Sequence, residues 1–406
     1  MKKAILAGAS TIALAIAGPA FGQAAFGQAT TPAECGLGEN NCSIVDQDGD
    51  GLEADVTQSG NGGISSVDQD GVDADAFVDQ SGTGDISNIT QDTVAAGSGD
   101  FTADVAQAGG AESVVTQTAS EVNSINFSAV VTQDGASASV ISQENINNDG
   151  GENFIASVDQ VGDGHSSIIS QTTDTAGTTP DGNFTAVVIQ SGDGNTSEVT
   201  QVNRNQTANV TQSGITGTSV VSQTSSQNDA NLNQGGLDNS SDIAQGDRNN
   251  DAVVFQRGTN NDSDVDQEAD GLNDANVTQR GTDGFATILQ TGNARGETAS
   301  ITQSATAASS TATINQTGDD GAGGASNLNF ADITQTNGSG NTASILQGDT
   351  TNELLGGLAT NLVTGATNAD ADIIQNGNDN FGEVVQGGDG QIAFIRQVGD
   401  DLRGFV

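Results

Sequence analysis

Along most of this chain an aliphatic residue is followed two positions later by glutamine, as in Val56-Thr57-Gln58 and Val254-Phe255-Gln256. These glutamines run from positions 47, 58, 69 and 80 to 375, 386 and 397, and most intervals between neighbours are eleven residues. Four residues before each such Gln stands Ala, Ser or, at position 382, Gly. The positions between are mixed and mostly polar. Alternation of this kind places the small residue, the aliphatic residue and the amide on one face of an extended strand, and the intervening residues on the other. No 3.6-residue period fits the same positions. The pattern therefore predicts short β-strands whose inward face is small, aliphatic and amide.

The small residue carries a second period. From Ser43 to Ala275 it alternates between Ser and Ala, so the repeating unit is about 22 residues with two non-equivalent strands. Gly sits two residues beyond Gln after 12 of 14 Ala-type strands and after only 5 of 14 of the others. That asymmetry predicts a tight turn with positive φ after one strand type and a looser connection after the other. The long intervals, among them 91 to 107, 143 to 160 and 347 to 375, all fall in the looser connection. Insertions thus gather along one edge, as in stacked repeats with one accommodating side.

Strand, tight turn, strand and looser turn give an all-β, two-sided β-solenoid of about 14 coils from 28 such strands. Its coils would pair in register at roughly 4.8 Å, in the manner of an amyloid-like β-helix. Like then lies on like. One predicted ladder contains Gln58, Gln80, Gln107, Gln133 and Gln160, and continues through Gln190, Gln212, Gln234, Gln256 and Gln279. Beside it run aliphatic rungs such as Val56, Val78, Val210, Val254 and Val277. A stacked amide both donates and accepts along the axis, which removes most of the cost of burying it. Val254 and Gln256 are expected inside, Val253 and Phe255 outside, and Gln279 one coil above Gln256.

Composition narrows the function. Trp and Tyr are absent and aromatics make up 3% of the 406 residues, so a thick globular core is out of reach. A net charge of −44 disfavours nucleic acid and anionic membrane surfaces as partners. Lys2 and Lys3, an apolar run from Ala4 to about Ala17, and small residues around Gly18-Pro19-Ala20 and Gly22-Gln23-Ala24 form a secretory signal peptide over 1–24. An N-terminal segment follows over 25–40, then the repeats over 41–399 and a C-terminal tail over 400–406. No later segment is apolar enough for membrane insertion. Cys35 and Cys42 are the only cysteines, and export permits a disulfide between them.

The segment Asn250-Asp-Ala252-Val-Val254-Phe-Gln256-Arg-Gly258-Thr-Asn-Asn261 resembles the curlin repeat, N-x-A-x-V-x-Q-x-G-x-x-N. Asn stands six before Gln in ten strands, including Asn41, Asn195, Asn239, Asn273, Asn341 and Asn380, and the likeness extends over residues 41–399. Here, unlike in the familiar major curlins, Ser lies four before Gln and Gly follows the Ala-type strand. The resemblance implies a structural subunit of curli-like functional amyloid in a biofilm matrix. It implies secretion to the cell surface of a Gram-negative bacterium through a curli-type channel, and partners that are a nucleator and further copies of the chain.

Catalytic chemistry finds little support. His165 is the only histidine and holds the strand-opening position usually taken by Asn, which predicts a surface turn residue. Carboxylates are plentiful, yet none forms an acid pair at a special place and no Trp or Tyr could stack a sugar. The chain is therefore expected to be no enzyme and to need no cofactor. Asp46, Asp48 and Asp50 match the start of a calcium loop, but Thr57 stands where the closing Glu belongs. They remain a weak metal candidate, alongside diffuse Ca2+ binding by acidic ladders. Thr precedes Gln at 57, 90, 116, 132, 200 and 211, while Asp68, Asp79, Asp159 and Phe255 break the row. A monomeric secreted solenoid acting as an adhesin, cation-binding or ice-binding surface is the alternative function.

Overall fold

The computed structural model describes residues 41–93, 100–119, 125–146, 152–173, 182–268, 271–292, 296–318, 329–348 and 366–406. The stretch over 1–24 read as a signal peptide, the segment over 25–40 and Cys35 lie outside the described residues. Two large parallel sheets face each other, a first sheet of 15 strands and a second of 14. Consecutive strands go to opposite sheets, and each pairs with the strand one coil away. Among the described residues there is no helix.

Register follows the sequence repeat. In the second sheet Asp251–Thr259 pairs with Asp229–Leu237 on one side and Asp274–Gln279 on the other, aligning Leu232 with Val254 and Val277, and Gln234 with Gln256 and Gln279. A slip of one residue would turn every inward side chain to water, so the alternating pattern itself pins the register. Val254 and Gln256 are buried, whereas Val253 is 37% exposed and Phe255 half-exposed. Along the axis the aliphatic residues and Ala of the two sheets meet in one continuous core, and inward Ser residues of the first sheet are buried as well. Val56 and Gln58 are only half-buried. Their strand, Glu53–Gln58, has a neighbour on one side alone.

Insertions enter at one edge, between a first-sheet strand and the next second-sheet strand, as between Ile86–Thr93 and Asp100–Ala108. The opposite edge is tight, and glycine is needed there for a reason beyond φ. Gly258 does have a positive φ of 150°. Gly60 and Gly214 do not, yet a Cβ on either would overlap the carbonyl oxygen of the glycine one coil on, Gly82 or Gly236. The turns stack backbone on backbone. Turn geometry was half of the requirement, and coil-to-coil approach is the other half.

The tail read over 400–406 is not separate from the stack. Arg403–Phe405 forms a fifteenth strand of the first sheet beside Phe381–Gln386. Gly404 aligns there with Gly382, the small-residue position. Val406 stands two residues later, where the other strands carry their aliphatic residue.

Candidate functional site

The polar interior is the distinctive chemistry of this molecule. Each ladder glutamine donates through Nε2 to Oε1 of the glutamine one coil later: Gln234 to Gln256 at 2.7 Å, Gln256 to Gln279 at 2.8 Å, Gln279 to Gln303 at 2.9 Å. The same nitrogen also donates across the core to a backbone carbonyl of the facing sheet, as from Gln256 to Ser240 O at 2.8 Å and from Gln279 to Asp262 O at 3.0 Å. Gln58, Gln80, Gln107, Gln133, Gln160, Gln190 and Gln212 follow the same rule. The first sheet has its own ladder, including Gln69 to Gln91 at 2.8 Å and Gln245 to Gln267 at 2.9 Å. The amides are saturated, which is what makes their burial tolerable.

Corner residues clip the coils together. The side-chain oxygen of Asn239 accepts from Asn261 N at 3.0 Å, and that of Asn228 accepts from Asn250 N at 3.1 Å. His165 fills the same column and is 2% exposed, not a surface turn residue. Its Nδ1 accepts from Asn195 N at 3.3 Å and its Nε2 lies 3.1 Å from Val161 O. The neutral ring with the proton on Nε2 satisfies both contacts.

One ladder escaped the sequence reading. Phe101, Phe127, Phe154 and Phe184 open four successive second-sheet strands and stack with centroids 4.8, 4.7 and 4.8 Å apart, nearly parallel. Each stands six before Gln, the Asn position of other strands, and that shared offset was the available signal. The rings form a small second core at this corner with Ala74 and Ala119.

Not every interior group is satisfied. Ser263 donates to Ser241 at 2.9 Å, whereas the buried hydroxyls of Ser113, Ser139, Ser167, Ser197 and Ser219 have no partner. An orphaned hydroxyl costs about 1 kcal/mol or more. Ser197→Ala should therefore hold or raise the urea midpoint; a loss above about 1 kcal/mol would show that the hydroxyl contributes to stability. Ala already fills the equivalent first-sheet position at 286, 312 and 343.

Glu297 is the harder case. It takes the Asn column position between Asn273 and Asn329, accepts at Oε1 from Asn329 Nδ2 at 3.2 Å, and leaves Oε2 buried without a partner. Burial pushes its carboxyl up to about 8, partly offset by the Asn329 bond.

Outside, acids line up along the axis. Asp46 aligns with Asp68, and Asp48 with Asp70 and Asp92. Asp46, Asp48 and Asp50 all lie on the extended strand Asn41–Asp50, at every second residue along it. They do not curl around a point, and among the described residues no three His, Cys, Asp or Glu side chains converge to hold a metal ion. Further along, burial and then Asp264, Asp262 and Glu198 raise Asp242 to about 6, and burial with Glu268, Asp264 and Asp242 does the same to Asp266. Outward threonines form no long array, since Thr57 aligns with Asp79, and Thr132 with Asp159 and Ile189. Cys42 is disulfide-bonded. Compared with protein-family models and with curated proteins, the chain matches none.

Proposed function

We propose that this chain is a curlin-like structural subunit of an extracellular fibre or biofilm matrix, exported in an unfolded state and assembling by adding coils to coils. The observation that carries this reading is the repetition of identical rungs: glutamine on glutamine in both sheets, in parallel register throughout. A coil supplied by a second copy would meet the same donors and acceptors as a coil of the same chain, and strand edges template further pairing. The outward acids oppose this. Asp68, Asp92, Asp242, Asp264 and Asp266 all have raised pKa values, through burial first and neighbouring carboxylates second. Asp242 and Asp266 shed charge as pH falls through about 6, and the other three protonate more readily than an ordinary Asp, so repulsion between coils weakens in that direction.

The test is incubation of the purified chain from residue 25 onward. The expected result is fibres that bind amyloid dyes, with a meridional spacing of 4.7–4.8 Å. The lag should be shorter near pH 4 to 5 than at pH 8, and shorter in salt than without it. Chain that stays monomeric for weeks at high concentration overturns the reading in favour of a monomeric adhesin-type solenoid.

A further inference from the structure

The outer faces are unlike each other at one level of the stack. On the second sheet, Arg257 and Arg280 follow Gln256 and Gln279 on neighbouring strands, and both are exposed. Their guanidinium carbons lie 4.8 and 5.3 Å from the centre of the Phe255 ring. Two like charges share one aromatic ring, and among the described residues neither has a carboxylate partner. Asp251 begins the same strand, six residues and about 20 Å away from Arg257. In a chain of net charge −44 with seven arginines, an unpaired cationic pair is a departure from its surroundings.

The opposite face of these coils is the reverse. On the first sheet Asp242 aligns with Asp264, Ser240 with Asp262, and Ala244 with Asp266. Burial raises all four carboxyls, neighbouring carboxylates add to it at Asp242, Asp264 and Asp266, and among the described residues no cation offsets them. Position through the thickness is fixed by the interior bonds. Gln256 reaches Ser240 O and Gln279 reaches Asp262 O, so Phe255, beside Gln256, lies across from the columns holding Asp262, Asp242 and Asp264.

We propose that these two faces are complementary halves of a lateral self-interface, with the Phe255–Arg257–Arg280 island of one copy seated on the Asp242–Asp262–Asp264 face of a second copy laid flat against it. A shift of one copy straight across the stack brings the two patches together without any slide along the axis. Both copies repeat at the same ~4.8 Å, so their strands keep step, and facing sheets approach to about 10 Å. Guanidinium forks pair well with carboxylates, and the ring holds the forks in place before contact. The interface is heterologous, since one face meets a different one, so it leaves a free patch on each side and continues into ribbons. Against it stand Asp229, Asp251 and Asp274 at the other end of the island's own strands, and the acids of the first coils, Asp46 and Asp48 on one face and Glu53 and Asp55 on the other. These are exposed, and physiological salt screens them beyond about 8 Å.

This interface joins the sides of the solenoid, and it does not depend on axial fibre growth. The experiment compares Arg257→Glu/Arg280→Glu, Asp242→Arg/Asp264→Arg and the chain carrying all four changes, with Arg257→Gln/Arg280→Gln as a milder variant. Lateral bundling is read by electron microscopy of assembled material. Side-by-side dimers of the soluble chain are read by sedimentation, which serves even if no fibres form. Each charge-reversed pair should cut lateral association at least tenfold while leaving the circular dichroism and any single filaments unchanged, and the fourfold reversal should restore it. Reversals that leave bundling and dimers unchanged, or a fourfold variant that fails to recover, overturn the proposal. So does binding to polygalacturonate that depends on Arg257 and Arg280 while lateral association stays intact, because the island would then be a site for an anionic polysaccharide.

Discussion

Gln256→Glu should destabilise the solenoid at pH 8 by about 3–5 kcal/mol, the range for leaving buried polar groups and a buried charge without compensation. The wild-type amide donates to Gln279 Oε1 at 2.8 Å and to Ser240 O at 2.8 Å, and accepts from Gln234 at 2.7 Å. A carboxylate keeps the last bond and loses the others. It then sets a charged oxygen against two acceptors inside a dry ladder. Gln279 and Ser240 are orphaned in turn. The loss should show as a lower urea midpoint and as faster amide exchange in the strands Asp229–Leu237 and Asp274–Gln279 that flank it. Protonation below about pH 5 should return part of it. The outward change Thr278→Ala, on the next strand, should stay within about 0.5 kcal/mol. A cost for Gln256→Glu under 1 kcal/mol would mean that the ladder is not a dry, cooperative element.

Glu297→Gln should act in the other direction. The carboxyl rises from 4.5 to about 8 in the folded state, so folding favours its protonated form. The stability linked to this group is fully present below about pH 4.5 and declines as pH rises toward 8. A shift of that size corresponds to on the order of 4–5 kcal/mol at its upper limit, reached above pH 8. The amide cannot ionise and offers Oε2's place an N–H. The variant should therefore match the wild type near pH 4 and exceed it increasingly up to pH 9, as measured by denaturant midpoints across pH. Parallel curves for the two proteins would show that Glu297 is not the buried carboxyl described above.

The repeat was legible because every strand obeys the same local rule. Small, aliphatic and amide residues at alternate positions determine which face turns inward, and 22-residue pairing then aligns like with like, as Gln234, Gln256 and Gln279 show. What escaped depended on contact between coils. The phenylalanines at 101, 127, 154 and 184 are far apart in the chain and become a stack only when the coils close up. His165 looked like a turn residue because its position is usually polar, but a corner is wet only until the next coil covers it. Arg403–Phe405 shows only the opening of the rule, Gly404 and then Val406 at alternate positions, and its place in the first sheet emerges from pairing with Phe381–Gln386. The Gly60 and Gly214 requirement is of the same kind, imposed by a carbonyl 22 residues further along the chain.

Direction in the glutamine ladders has an electrical consequence. From Gln47 and Gln58 to Gln375, each side chain donates its Nε2–H to the glutamine oxygen of the coil that follows, in both sheets. Backbone bonds between parallel strands point both ways and leave little net moment. The side-chain amides all point one way, each with a moment comparable to the ~3.5 D of a peptide unit. Their sum gives the solenoid a polar axis, positive toward the later coils and negative toward the earlier ones, where Asp46, Asp48 and Asp50 add charge of the same sign. A stack containing a reversed copy would confront donor with donor or acceptor with acceptor in both ladders at once. A filament of such units is a polar object with two different ends.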